Sequence, residues 1–202
     1  MVAGNMPRPS RLVVPDVAHH ITQRGNRQST IFFSDDNRRA YLKLIKEGCA
    51  QSGTTCLAWC LMDNHIHLIL VPKTPDGLRA VLARAHTRYS QMINREQGWS
   101  GHMFQGRFSS YAMDDAHLMA AIRYVENNPV KAKLVEDAGD WLWSSARAHL
   151  LAIPDGLTDT GSMGSHIRNW GAYLTDGVNA TDQDMIIEMS MRSGKLLGKL
   201  MP

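Results

Sequence analysis

The feature that most constrains this chain is the stretch Leu61-Met62-Asp63-Asn64-His65-Ile66-His67-Leu68-Ile69-Leu70-Val71. It reads as a turn, Asp63-Asn64, feeding a strand whose continuation from Leu68 to Val71 is wholly apolar. Alternate side chains of a strand share a face, so His65 and His67 point the same way and Ile66 points opposite. Two imidazoles on adjacent pleats can hold one divalent ion between them. They can equally be half-buried polar residues at the mouth of an apolar strand. With nine His in 202 residues, about 0.4 His-x-His pairs arise by chance, so the neighbours must decide.

Those neighbours alternate between strand and helix signals. Val17 to Gln23 alternates as a strand, and Arg24-Gly25-Asn26-Arg27 follows as a turn. Two arginines flanking a Gly-Asn turn fit a phosphate grip or a solvated loop. Ser34-Asp35-Asp36 supplies caps for a helix carrying Tyr41, Leu42, Leu44 and Ile45 to about Gln51. Thr55 to Met62 is a second strand, paired through Asp63-Asn64 with the His-x-His strand as an antiparallel hairpin. Asp76-Gly77 then opens the clearest helix, with Leu78, Val81, Leu82, Ala85, Tyr89 and Met92 on its buried face. Arg84, Arg88, Gln91 and Arg95 form a second stripe on it, suited to a phosphate backbone or to solvent.

Phe104 to Met113 reads as the fourth strand, with Arg107 on the side opposite Phe104 and Phe108. Asp114-Asp115 caps a helix to about Asn128, with Leu118, Ile122 and Val125 as its apolar stripe. His117, Ala121, Tyr124 and Asn128 share the adjacent flank. A Tyr at such a border is ordinarily an amphipathic packing residue. Asn128-Pro129 can also start a second helix, Pro129 to Asp137, with Asn128 as its cap. Trp141, Trp143 and Ser144-Ser145-Ala146 look like core anchors. Beyond Leu151 the chain turns rich in Gly, Thr, Asp and Ser with weaker periodicity, so residues 151–202 are expected to form a loosely packed appendage.

The order strand, helix, strand, strand, helix, strand predicts an α+β fold: a ferredoxin-like, mostly antiparallel sheet with helices on one face. The His-x-His strand should be central. A length of 202 residues suits one domain of ordinary size plus a tail. No run reaches the roughly 18 apolar residues of a membrane span, and the first ten residues lack a secretory pattern. Cys49, Cys56 and Cys60, odd in number and without paired spacing, read as reduced thiols, and a cytoplasmic location is expected. Residues 1–150 carry 18 Lys and Arg against 13 Asp and Glu, a balance of +5, and residues 151–202 carry −2. That bias is compatible with nucleic acid without requiring it.

Here the sequence resembles a known family. His65-Ile66-His67, followed by Tyr124-Val125-Glu126-Asn127-Asn128 on a helix, is similar to the HUH single-tyrosine transposases, and within them to the REP-associated tyrosine transposases of bacteria. The matching stretches are His20-Ile21-Thr22-Gln23-Arg24-Gly25-Asn26, Met62 to His67, Gly101 to Phe108, Arg123 to Val135 and Trp141 to Leu150. They occur in the family's order and cover most of residues 8–150, the expected transposase domain. In the tail, Gly194-Lys195-Leu196-Leu197-Gly198 resembles a family Gly-Arg-Pro-Leu-Gly segment with two replacements.

The resemblance implies a chemistry. Tyr124 would be the nucleophile that cuts a DNA phosphodiester, leaving a 5′-phosphotyrosine and a free 3′ hydroxyl. His65 and His67, with Asn128 at the family's amide-ligand position, would hold Mg²⁺ or Mn²⁺ as a Lewis acid. The substrate would be single-stranded or hairpin DNA, with Arg24, Arg27, Arg84, Arg88 and Arg107 as phosphate contacts. Relatives leave monomer and homodimer both open. Two other readings stand beside this one. A catalytically silent hairpin-binding module would keep the contacts without cleavage. A metal-dependent hydrolase would use water, although His-x-His barrels need further ligands and about 250 residues.

Overall fold

The computed structural model describes residues 12–164 and 167–178. Strands β1 (His19–Arg24), β2 (Thr55–Met62), β3 (His65–Val71) and β4 (Ser109–Ala112) form one sheet in the order β2-β3-β1-β4. Every neighbouring pair is antiparallel. With helix α1 (Asp35–Ser52) between β1 and β2 and α2 (Gly77–Gln97) between β3 and β4, this is the ferredoxin-like order, and β3 is central as expected.

Local chemistry sets the element ends. The Ser34 hydroxyl accepts from the Asn37 backbone N–H at 3.2 Å and starts α1. Gly53, at φ +65°, ends it in the left-handed conformation that glycine adopts without penalty. Gly48 lies where α1 crosses α2, and a Cβ there would come within 2.9 Å of the Val81 Cα. The glycine therefore sets how closely the two helices pack. Strand β4 is shorter than the predicted Phe104–Met113. The segment before it is bent at Gly106 (φ +62°) and pairs with the sheet backbone through a Gly25–Phe104 bridge.

Helices cover both faces of the sheet, which corrects the expectation of one. On the first face Ile21, Leu61, Ile66, Leu68 and Leu70 pack against Tyr41, Ile45 and Cys49 of α1 and Leu78, Val81, Leu82 and Tyr89 of α2. The second face carries Ala58, Cys60, Met62, Ile69 and Tyr111, and it packs against α3 (Asp115–Glu126) through Ala121, Ile122 and Val125. The chain continues after β4 with further apolar stripes, and those need the face that α1 and α2 leave open.

The break after α3 differs from the expected run to Asn128. A continuous helix would drive the Pro129 ring into the carbonyl four residues earlier, so α3 stops at Glu126. One turn, α4 (Asn128–Lys131), restarts the helix with Asn127 as its cap residue, so Asn128 is its first residue. It does not continue to Asp137, because Lys133 sits at φ +58°. The chain then runs through α5 (Ala146–Leu151), α6 (Gly161–Gly164) and α7 (Trp170–Val178).

Glu126 ties these late elements to α3. Its fully buried carboxylate accepts from the Ser145 hydroxyl at 2.5 Å, His149 Nδ1 at 2.6 Å and Trp170 Nε1 at 2.7 Å. The Trp170 ring stacks on His149 with centroids 3.9 Å apart, and Asn127 Nδ2 donates to the Leu174 carbonyl at 2.8 Å. The segment Gly194–Gly198 singled out in the tail lies outside the described residues. Among the described residues no helix is long and apolar enough to cross a membrane. The three cysteines are buried free thiols.

Candidate active site

β3 delivers two imidazoles to the second face of the sheet. His65 stands opposite Arg24 and Met62, and His67 opposite Thr22 and Cys60. Their ring centroids lie 5.0 Å apart at 84°. His67 is buried and His65 half-buried. Burial, aided by the Arg24 charge, pushes His65 down to about 4. Burial and the neighbouring His20, His65 and Arg24 hold His67 well below the usual imidazole range. Both rings are therefore neutral at pH 7, the form in which an imidazole offers a lone pair.

The helix break brings Asn128 to the same point. Its side-chain Nδ2 donates to His67 Nε2 at 3.4 Å, and the same amide also hydrogen-bonds His65. In one unbroken helix the spacing of Tyr124 and Asn128 would set them on one flank. The shift at Asn127 instead lets the amide reach into the sheet while Tyr124 stays on α3. The Tyr124 ring is half-buried and stands edge-on to His67, with centroids 5.4 Å apart at 89°. The structure thus brings His65, His67, Tyr124 and Asn128 together, residues drawn from a strand, a helix and the turn after it.

Two further residues belong to this cluster and were given no role on sequence. His20, on β1, is fully buried, with Nε2 3.0 Å from His67 Nδ1, and its ring lies 6.1 Å from that of Tyr124. Burial lowers its pKa to about 3. The signal was present in β1, where His20, Thr22 and Arg24 alternate with buried Ile21 and so form one polar face. Lys131 of α4 places Nζ 5.0 Å from the Tyr124 ring centroid. His117, on the Tyr124 flank by periodicity, instead pairs through Nδ1 with Asp114 Oδ1 at 2.6 Å and serves the start of α3.

The predicted arginines divide into two groups. Arg24 is exposed at the end of β1 directly across from His65. Gly25 N donates to the Asn64 carbonyl and Gln105 N to the Arg24 carbonyl. The segments bearing Arg24, Arg27 and Arg107 therefore gather at the end of the sheet where the His hairpin turns, and all three are exposed. Arg84 and Arg88 sit on α2, in the helical layer across the sheet. Arg84 donates to Gln51 Oε1 at 2.8 Å and Arg88 to Glu47 Oε2 at 3.1 Å. The structure does not bring these two to the histidines.

For a divalent ion, the donor set is two neutral imidazoles and an amide. Among the described residues no group of three or more His, Cys, Asp and Glu converges on one point, so Asn128 is what completes a third donor. An amide oxygen suits Mg²⁺ or Mn²⁺ and the two imidazoles would also accept zinc or nickel, so the residues can hold the divalent ion that the family resemblance implies.

A ferredoxin-like sheet with a His-hydrophobic-His strand facing a helical tyrosine is the arrangement that the family resemblance leads one to expect. The chain belongs to the IS200-like transposases, whose family model matches residues 13–128. Over 124 residues, 56% of this chain and 68% of its counterpart, it is 27% identical to a Haemophilus influenzae protein named as a REP-associated tyrosine transposase. Among solved structures it resembles a REP-associated tyrosine transposase bound to a REP hairpin, with a TM-score of 0.57 at 19% identity. That match covers 77% of this chain and 90% of the other and speaks for the fold.

Proposed function

We propose that this transposase cuts and rejoins single-stranded DNA beside small hairpins of the REP class, through a covalent 5′-phosphotyrosine on Tyr124. The observation that carries the reading is the convergence of Tyr124, His67 and Asn128, with His67 Nε2 turned to the Asn128 amide and its ring edge-on to the tyrosine. An ordinary packing tyrosine has no need of two neutral imidazoles and an amide beside it.

In the cleavage step the Tyr124 oxygen attacks phosphorus and loses its proton. An O–P bond forms, the bond from phosphorus to the 3′ oxygen breaks, and that oxygen takes up a proton as a free 3′ hydroxyl. Attack by a 3′ hydroxyl on the phosphotyrosine reverses the step, so the strand is rejoined without an external energy source. A divalent ion, Mg²⁺ or Mn²⁺, held by His65, His67 and Asn128 would supply Lewis-acid stabilisation of the charge developing on the phosphate. Arg24, across from His65, and Lys131, over the Tyr124 ring, add fixed positive charge where the phosphate and then the phosphotyrosine would lie. Arg27 and Arg107, at the same end of the sheet, would hold flanking phosphates. Arg84 and Arg88, already engaged with Gln51 and Glu47, would add to the field at longer range.

The test is a denaturing gel of the protein with labelled hairpin DNA and Mn²⁺. A slow covalent band in the wild type, absent in Tyr124→Phe and in His67→Ala, is expected. Nicking that persists in Tyr124→Phe without an adduct would point to a water-using hydrolase. Tight binding by native gel with no product from any hairpin would leave a binding module.

A further inference from the structure

Two hydrogen bonds at the back of the histidine pair do more than pack it. A neutral imidazole carries one proton, and only the nitrogen without it can ligate or accept. The nitrogen that is protonated is set by what its other nitrogen meets. His65 Nδ1 lies 2.7 Å from Asn64 Oδ1, while Asn64 Nδ2 donates to the Gln28 carbonyl at 3.2 Å. The second bond fixes which end of the Asn64 amide faces His65. A carbonyl oxygen can only accept, so Asn64 draws the His65 proton to Nδ1.

At His67 the corresponding partner is another imidazole. His20 Nε2 is 3.0 Å from His67 Nδ1, and the two rings lie 5.2 Å apart at 28°. One proton occupies that N···N bond. If it belongs to His67, Nε2 is bare, in agreement with the Asn128 Nδ2 donor aimed at it from 3.4 Å. If it belongs to His20, His67 must carry its proton on Nε2 and point it at that donor. The first arrangement gives His20 an Nδ1–H, and that atom is buried with no hydrogen-bond partner. Burying a bare donor is unfavourable, so a packing role alone does not account for a histidine there.

We infer that His20 and Asn64 are positioning residues. Each accepts from Nδ1 of one histidine, His20 from His67 and Asn64 from His65, and so keeps the proton off Nε2, which at His67 faces the Asn128 amide. The inference rests on the metal-assisted reading above for its purpose, but not for its geometry. The two residues act at different depths. Asn64 can only accept, so it always draws its histidine's proton to Nδ1. His20 can give or accept, so the proton in its bond to His67 follows whatever uses the other side of the ring.

The experiment is long-range ¹H–¹⁵N correlation NMR on protein carrying ¹⁵N-labelled histidine, in the wild type, His20→Gln, His20→Leu and Asn64→Leu. The Gln amide oxygen can accept where His20 did, and Leu cannot. Without metal, the wild type should show both His65 and His67 as Nδ1–H forms. His20→Gln should keep this pattern, His20→Leu should lose it at His67 alone, and Asn64→Leu at His65 alone. In parallel, Mn²⁺ affinity read by electron paramagnetic resonance should fall 10- to 100-fold in each Leu variant and recover in His20→Gln. An Nε2–H form of His67 in the wild type, or an unchanged pattern in His20→Leu, would overturn the inference. Correct tautomers in a wild type that takes up no Mn²⁺ would instead overturn the metal reading and leave the positioning intact.

Discussion

The two faces of strand β3 are made from alternate residues of one short segment, yet they behave as different kinds of surface. Ile66, Leu68 and Leu70 point into a closed apolar layer with α1 and α2, every one of them fully buried. His65 and His67 point the other way, toward Tyr124, Asn128 and His20. The aliphatic face makes the strand central and rigid. The histidine face uses that rigidity, because imidazoles held on a fixed pleat keep their spacing without help from their own packing. The aliphatic core and the candidate site are thus separated across one backbone, a residue apart.

The first way to break that separation is at Glu126, where the second face depends on a buried carboxylate. Glu126→Ala leaves Ser145, His149 and Trp170 without their shared acceptor and should cost about 3–5 kcal/mol in urea denaturation. A loss under about 1 kcal/mol would show that the α3–α5–α7 contacts are not what holds this face.

On the first face, Leu68→Ala should lower stability by about 2–5 kcal/mol through the cavity it leaves. Adduct formation per folded molecule should nevertheless stay at the wild-type level. A chemical defect larger than the folded fraction explains would mean that the two faces are coupled through the strand.

The pH response sharpens the same contrast. His20, His65 and His67 all have folded-state values below the ordinary 6.5, so between there and about 4 the unfolded chain binds protons that the folded chain refuses. Stability is therefore full above pH 6.5 and falls as the pH is lowered through this window. Urea midpoints measured from pH 7.5 to 4.5 should show the fall, with a shallower slope in His20→Leu than in the wild type. Equal slopes would contradict the burial of a neutral His20.

The smallest expected effects concern the arginines. Arg24→Ala should weaken hairpin binding and reduce the salt dependence of binding by about one phosphate contact. Arg88→Ala, which gives up only an exposed pair with Glu47, should change stability by less than about 0.5 kcal/mol and binding less than Arg24→Ala does. The reverse ranking would move the DNA path onto the α1–α2 layer.

Much of this was legible in the residues. The alternation of β3 placed both histidines on one face, and the element order gave the sheet and the central position of that strand. The family resemblance pointed to Tyr124 and Asn128, which the fold brings beside the histidines. What was not legible depended on register. His20 meets His67 only because β1 pairs with β3 in one particular register, with Thr22 opposite His67. The arginine stripe of α2 was visible as a stripe, but periodicity says which residues share a side and not which side of the sheet that is. The contacts of Glu126 join residues up to 44 positions apart, beyond the reach of any local pattern.

The most direct test of the central claim is to locate the covalent bond. Wild-type protein reacted with hairpin DNA and Mn²⁺ would be digested with nuclease and protease, and the nucleotide-bearing peptide sequenced by tandem mass spectrometry. The account predicts a single nucleotide-modified residue, Tyr124. A nucleotide on another residue, or cleaved DNA with no modified peptide, would contradict it.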